Sequence, residues 1–331
     1  YKVSGLTART SGKDAQVYSN TVIEGTAKVE KDGIDVTDKV VVRIVSGQLT
    51  INPRKVTLTS EGASKPYDGT ALTKPDVKVT DEGFVAGEVS DIHATGSVTN
   101  VSEGEVINTI TFTEGANYKE ANYSITKKEG KLSITPVTDE ITVTIKGNTD
   151  TVTYDGNSHS VEGYTVESIS KPTLYQENNI KFTGNAKAEG TAAGTHYMNL
   201  SENQFSNANT NFANVTFTVT DGYLTITPKS INPEDEKTGI KVTKPDDTMY
   251  NGEEQKNKPT VEDTKTGATL VENVDYTLSY TAAVNAGTVE VTITGIGNYT
   301  GTAKTSYEIT KRNVTLTSAT DSKVYDKTPL T

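Results

Sequence analysis

Four copies of one short phrase set side chains that could do chemistry at recurring positions: Tyr67-Asp68-Gly69-Thr70, Tyr154-Asp155-Gly156-Asn157, Tyr250-Asn251-Gly252-Glu253 and the altered Tyr325-Asp326-Lys327-Thr328. A tyrosine beside a carboxylate or amide can stack on a sugar and accept its hydroxyls, so Tyr67, Asp68, Tyr154, Asp155, Tyr250 and Asn251 are candidate ligand contacts. The same residues have a structural reading. Asp-Gly and Asn-Gly are favoured in tight hairpin turns because glycine accepts positive φ and Asx bonds its own backbone. A tyrosine before such a turn can bury its ring and send its hydroxyl to a backbone acceptor. Acidic runs at Asp246-Asp247 and Glu234-Asp235-Glu236 are candidate calcium ligands, although their spacing matches no recognised loop and a solvated acidic turn has the same composition. No other metal or cofactor is indicated. Catalysis is not expected: the only histidines are His93, His159 and His196, and no nucleophile elbow, phosphate loop or paired-histidine zinc helix occurs.

The elements that must position these residues follow from a second recurring phrase. Gly47-Gln48-Leu49-Thr50-Ile51-Asn52-Pro53, Gly130-Lys131-Leu132-Ser133-Ile134-Thr135-Pro136 and Gly222-Tyr223-Leu224-Thr225-Ile226-Thr227-Pro228 close successive units, with Tyr307-Glu308-Ile309-Thr310 as a weaker fourth. The opening tyrosines lie 87, 96 and 75 residues apart. Solenoid rungs are about 20 to 50 residues, so each unit is a small domain with a closed core. The boundaries predicted are complete units at 54-136, 137-228 and 229-310, the later part of a unit at 1-53, and an opening segment at 311-331. Within the units, Ile141, Val143 and Ile145 alternate with polar residues, as do Val56 and Leu58, and Val289, Val291 and Ile293. That period of two, broken by Gly, Asn, Asp and Pro, predicts an all-β chain of small antiparallel sandwiches with at most a turn or two of helix per unit. Asn-aromatic pairs recur in the later loops at Asn117-Tyr118, Asn122-Tyr123, Asn211-Phe212 and Asn298-Tyr299. Loop structure and ligand contact are both open for them.

Composition narrows the function classes. The chain has 331 residues, a formal net charge of −11 and no cysteine. The acidic balance opposes binding to a phosphate backbone, so nucleic acid is not an expected partner. Without cysteine there is no disulfide framework, thiol nucleophile or thiolate metal site. No apolar run has the length of a membrane-crossing helix, so membrane insertion of this segment is not expected.

The phrase Lys65-Pro66-Tyr67-Asp68-Gly69-Thr70-Ala71-Leu72-Thr73, the runs Asn285-Ala286-Gly287-Thr288 and Gly297-Asn298-Tyr299-Thr300-Gly301, and the Gly-x-Leu-x-Ile-x-Pro closers together resemble the bacterial immunoglobulin-like surface repeats, including the MBG group, that form tandem arrays in cell-wall proteins of Gram-positive bacteria. The resemblance covers essentially the whole chain. It implies an elongated rod of immunoglobulin-like sandwiches that is extracellular and attached to the cell wall. The function it implies is a non-catalytic stalk of a surface adhesin or filament; the alternative is a binding module whose loops contact host glycans or proteins. The lack of tryptophan weighs against the glycan version. Prolines at 136 and 228, between closing and opening strands, favour stiff joints.

The two ends invite one further expectation. Residues 312-331 repeat residues 54-73 with 13 identities in 20, whereas residues 1-53 carry middle and closing strands without an opening phrase. The expected partner of each is therefore a neighbouring repeat of the same or an identical chain.

Overall fold

The computed structural model describes residues 1–20 and 22–331. Thr21, within the predicted 1-53 segment, lies outside the described residues. The fold is all-β: strand makes up 47% of the chain, and helix among the described residues is confined to one-turn 3-10 segments such as Val101–Glu103 and Glu202–Gln204. By contact density the chain divides into two compact units, one comprising residues 1–141, 171–179 and 207–215, the other residues 142–170, 180–206 and 216–331.

In the first unit, Arg54–Ser60 is the central strand of a three-stranded sheet, with Val77–Asp81 antiparallel on one side and Tyr123–Lys128 parallel on the other. A second sheet centres on Lys131–Thr135, which takes Val106–Ile107 antiparallel and Ala63–Pro66 parallel. Alternation puts Val56 and Leu58 fully inside, against Ile110 and Tyr123, with Phe84 and Phe112 closing that cluster. Leu132, Ile134 and Val98 form a second cluster that also packs Tyr67 and Leu72. Residues 1-53 form thinner pairings, Lys2–Ser4 with Lys28–Lys31, Thr7–Arg9 with Val22–Glu24, and Val17–Asn20 with Gly47–Thr50.

In the second unit, Ile141–Gly147 pairs antiparallel with Tyr164–Ile169, and its alternating Val143 and Ile145 are fully buried. Tyr223–Thr227 takes Gly194–Tyr197 antiparallel and Thr149–Thr153 parallel. Further along, the long hairpin Gly287–Gly295 and Thr302–Thr310 buries Val289, Val291, Ile293, Tyr307 and Ile309. Residues 311–320 have no strand, and Val314 and Leu316 are 87% and 96% exposed.

The purely antiparallel sandwich expected from the sequence is corrected here: the sheets are mixed. The short strands before three of the Tyr-Asx-Gly phrases pair in parallel with later strands, Ala63–Pro66 with Lys131–Thr135, Thr149–Thr153 with Tyr223–Thr227 and Thr248–Met249 with Thr302–Thr310. A parallel pair needs a long crossover, and here the strands and loops between the two segments supply it. The tight-hairpin expectation for the Tyr-Asp-Gly phrase changes for the same reason. The strands flanking the first copy, Ala63–Pro66 and Leu72–Thr73, pair with different partners, so the phrase is a corner between strands.

Candidate functional site

At that corner the acidic residue is consumed by its own turn. Asp68 Oδ1 accepts the Thr70 amide at 2.9 Å and the Thr70 hydroxyl at 2.7 Å, and Lys65 Nζ lies 2.8 Å away. The Lys65 ammonium, then the Thr70 hydroxyl and amide, hold the Asp68 carboxyl down at about 2. Asp155 repeats the pattern, with the Asn157 amide at 2.9 Å and His159 Nε2 at 2.8 Å lowering it to about 2. Asn251 Oδ1 accepts the Glu253 amide at 2.8 Å. The glycines Gly69, Gly156 and Gly252 sit at φ of 81°, 83° and 90°, the left-handed region where a side chain is strained. Lys327 holds the same conformation at φ 68° in the fourth copy.

The tyrosines of the phrase do something the sequence did not disclose. The Tyr67 ring meets the Phe212 ring edge-on at 5.5 Å, and Tyr154 meets Tyr299 in the same way at 5.6 Å. Phe212 and Tyr299 are the aromatic halves of two of the Asn-aromatic pairs, so each phrase packs on such a pair 145 residues further along the chain. Tyr250 is 38% exposed. Among the described residues, hydroxyl-to-backbone bonds are made by Tyr18 to Asp14 O, Tyr175 to Asn179 O and Tyr307 to Gln255 O, and not by the phrase tyrosines.

The asparagines of the same pairs complete the contact. Asn122 Oδ1 accepts the Ala15 amide at 2.7 Å, Asn211 Oδ1 the Val101 amide at 2.8 Å, and Asn298 Oδ1 the Ala193 amide at 2.8 Å. Each pin therefore joins an asparagine to a backbone amide 105 to 110 residues earlier in the chain. Backbone bonds stitch the start of the next strand to the same loop, Val137 N to Asn211 O and Lys229 N to Asn298 O, both at 2.9 Å. The proline before each of these amides removes a donor and fixes φ, which leaves the seam few ways to bend. Three seams thus use one residue type in one role. The once-per-unit pairing of an opening tyrosine with a later Asn-aromatic pair was the available signal, and nothing in the local sequence says that the two meet.

Under the seam the chemistry varies. Lys229 and Asp263 are 5% and 0% exposed and form an ion pair with Nζ to Oδ2 at 2.6 Å. The Tyr299 hydroxyl donates to the same oxygen at 3.2 Å, and the Lys265 amide donates to Oδ1 at 3.0 Å. Burial opposes the charge on Asp263, but Lys229 and the amides of Lys265 and Thr266 outweigh it and hold the carboxyl below its ordinary value. Burial, with the Asp263 charge next in size, pushes the Tyr299 phenol well above its ordinary value. At the preceding seam the corresponding groups are apolar or neutral. Val137 follows the proline, and Tyr175, fully buried, stands edge-on to Phe212 at 5.1 Å with its phenol raised by burial to about 12.

Two of the calcium candidates, Asp247 and Asp235, have partners within the chain. Asp247 Oδ1 pairs with Lys244 at 2.8 Å and accepts the Glu308 amide at 2.8 Å, and Asp235 Oδ1 accepts the Lys237 amide at 3.1 Å. Among the described residues, no group of three or more metal-ligating side chains converges around Asp246, Asp247 or elsewhere. The three histidines lie apart and bond locally: His159 to Asp155, His93 Nδ1 to Asp91 O at 3.0 Å and His196 Nε2 to Ala192 O at 2.9 Å. A cleft of about 510 Å³ beside Asn122 is lined by Asp14, Lys119, Glu88 and Tyr123, whose polar groups bond one another. Lys119 reaches Asp14 at 2.7 Å and the Tyr123 hydroxyl donates to Glu88 at 2.6 Å. Among the described residues, no helix is long and apolar enough to cross a membrane. No protein-family model matches the chain, and no curated protein matches it.

Proposed function

We propose that this chain is part of the non-catalytic stalk of a bacterial surface adhesin or surface filament, an extracellular, wall-attached array of immunoglobulin-like repeats with units at 54-136, 137-228 and 229-310. The observation that carries the reading is the recurring seam: asparagine to backbone amide at Asn122, Asn211 and Asn298, with a phrase tyrosine on the following aromatic at Tyr67 and Tyr154. Tyr67 and Tyr154 pack on Phe212 and Tyr299, and Asp68, Asp155 and Asn251 close their own turns, an inward use of these side chains that suits a spacer. Resemblance to bacterial immunoglobulin-like surface repeats supports the same reading. Stacked end to end, strands of about seven residues plus loops give on the order of 35 to 40 Å per unit and a rod on the order of 150 Å. Small-angle scattering of the dilute chain tests this, and a compact particle would overturn it. A glycan array probed with the same chain should be blank; a repeatable hit lost on Tyr250→Ala would favour the binding-module reading instead.

A further inference from the structure

The phrase that begins with Tyr67, Tyr154 and Tyr250 builds one kind of turn, with a carboxylate at its second position in two places, Asp68 and Asp155, and an amide in the third, Asn251. Asn251 Oδ1 accepts the Glu253 amide at 2.8 Å, as Asp68 and Asp155 Oδ1 accept the amides of Thr70 and Asn157 at 2.9 Å. In all three the intervening glycine has a positive φ. The position is open to solvent even where the adjoining tyrosine is packed: the side chains of Asp68 and Asp155 are 54% and 46% exposed beside the Tyr67 and Tyr154 ring contacts, and Asn251 is exposed as well. What differs is the reactivity of the side-chain carbonyl. Lys65 and Thr70 at the first turn, and Asn157 and His159 at the second, keep the carboxylate ionised, and an ionised carboxylate is a poor acyl centre. The Asn251 carboxamide carries no charge, and its hydrogen bond to Glu253 curls it back towards the Gly252 nitrogen between them. Among the described residues the Gly252 amide donates to no group. Asn251-Gly252 is also the only Asn-Gly pair in the sequence, whereas the pinning asparagines precede Tyr123, Phe212 and Tyr299, whose side chains hinder attack by their own backbone nitrogen.

We propose that Asn251 is a self-modification site, at which the folded chain converts its own carboxamide to aspartate or isoaspartate with water as the only co-reactant. The Gly252 nitrogen, having given its proton to hydroxide, bonds to Asn251 Cγ. The Cγ–Nδ2 bond then breaks, and ammonia leaves with a proton taken back from water. The five-membered imide so formed takes up one water. Addition at Cγ restores the original main chain and leaves aspartate, which the turn already accommodates at Asp68 and Asp155. Addition at the main-chain carbonyl leaves isoaspartate, with one extra main-chain carbon directly after Tyr250, whose amide bonds Thr310 O at 2.9 Å. Either product sets a new negative charge beside Glu253 and Glu254, and the places of Lys65 and His159 in the other copies are held here by the uncharged Thr248 and Gln255. The reaction is local to residues 250–253 and independent of the surface-stalk reading.

The test incubates the full folded chain in mildly alkaline buffer, follows its charge by isoelectric focusing and locates the change by peptide mapping with mass spectrometry. Circular dichroism before and after confirms that the chain stays folded. The parent should move by a single acidic step, gain the mass difference between a hydroxyl and an amino group at Asn251, and do so at a rate proportional to hydroxide concentration. Asn251→Asp should focus at the shifted position from the start, and Asn251→Ser should remain at the parental one throughout. An Asn251 that stays intact in the folded chain overturns the proposal, and conversion of the urea-unfolded chain over the same time would show that the turn is what protects it. Earlier conversion of any other asparagine in the folded chain overturns it as well.

Discussion

The seam at Val137 and the seam at Lys229 perform one task with opposite chemistry. Both begin after a closing proline, both are pinned by an asparagine to the preceding loop, and both set an aromatic ring against a phrase tyrosine. Beneath the pin, the first is filled by Tyr175 and Phe212, the second by Lys229, Asp263 and Tyr299. The difference shows what the repeat requires. The pin and the edge-on rings are common to both seams, whereas the filling beneath them is free to be apolar or ionic provided that it is complete. An apolar filling gains from every contact it makes. A buried ion pair loses desolvation energy first and recovers it only through good geometry and further hydrogen bonds.

The sharpest way to break this comparison is to halve the ion pair. Asp263→Ala leaves the Lys229 ammonium buried without its partner, and the expected loss is about 3–5 kcal/mol, a large part of the stability of a small domain. Replacing both partners at once, with Lys229→Val and Asp263→Leu, should recover most of that loss by making this seam resemble the one at Val137. Urea denaturation of the parent, the single variant and this apolar double variant measures both effects. If Asp263→Ala costs less than about 1 kcal/mol, the pair is more hydrated than its burial indicates and the contrast between seams fails.

Acid should separate the seams by slope. Asp263 is held below its ordinary value, so it contributes stability that is present above the unfolded-state carboxyl range and is lost as pH falls through the lower folded-state value. Asp68 and Asp155, held at about 2, lose their contributions in the same direction. Comparison with the apolar double variant isolates the buried pair: the stability of that variant should fall less steeply below about pH 4 than that of the parent. Equal acid slopes would remove the ionic seam from the account. In alkali the seams should behave alike, since both Tyr175 and Tyr299 have raised phenol values and each loses its contribution only as pH rises towards them.

How much of this was legible in the sequence depends on distance along the chain. Alternation at Ile141, Val143 and Ile145 and at Val289, Val291 and Ile293 gave strands whose apolar faces are buried, because a period of two is a local signal. The turn chemistry of Asp68 and Asp155 was legible for the same reason, their hydrogen bonds reaching two to four residues. Parallel pairing of opening and closing strands was not, since it joins segments such as Thr149–Thr153 and Tyr223–Thr227 across a whole unit. Lys229 is the clearest case. A lysine directly after a proline reads as a solvated residue, and its burial is dictated by Asp263 and Tyr299, which lie 34 and 70 residues further on. Tyr67 and Tyr154, candidate ligand contacts by residue type, stand edge-on to Phe212 and Tyr299, and those ring contacts span 145 residues, beyond the reach of a local pattern.

The smallest expected effect is the most informative about what the seams share. Asn211→Ala and Asn298→Ala each remove one side-chain acceptor from a backbone amide, Val101 and Ala193 respectively, and each should cost about 0.5–1.5 kcal/mol. Asn211 also donates to Asn100 Oδ1 at 2.9 Å, so its loss should lie at the upper end of that range. If the pin is independent of the filling, the cost of Asn298→Ala will be the same in the parent and in the apolar double variant. If the pin instead holds the ion pair in geometry, through Tyr299 beside it in sequence, the two costs will differ by more than about 0.5 kcal/mol. A double-mutant cycle in urea decides between these outcomes. Additivity would make the asparagine a general fastener for this class of seam, and a coupling would make the Lys229 seam a single cooperative device in which pin, ring and ion pair stand or fall together.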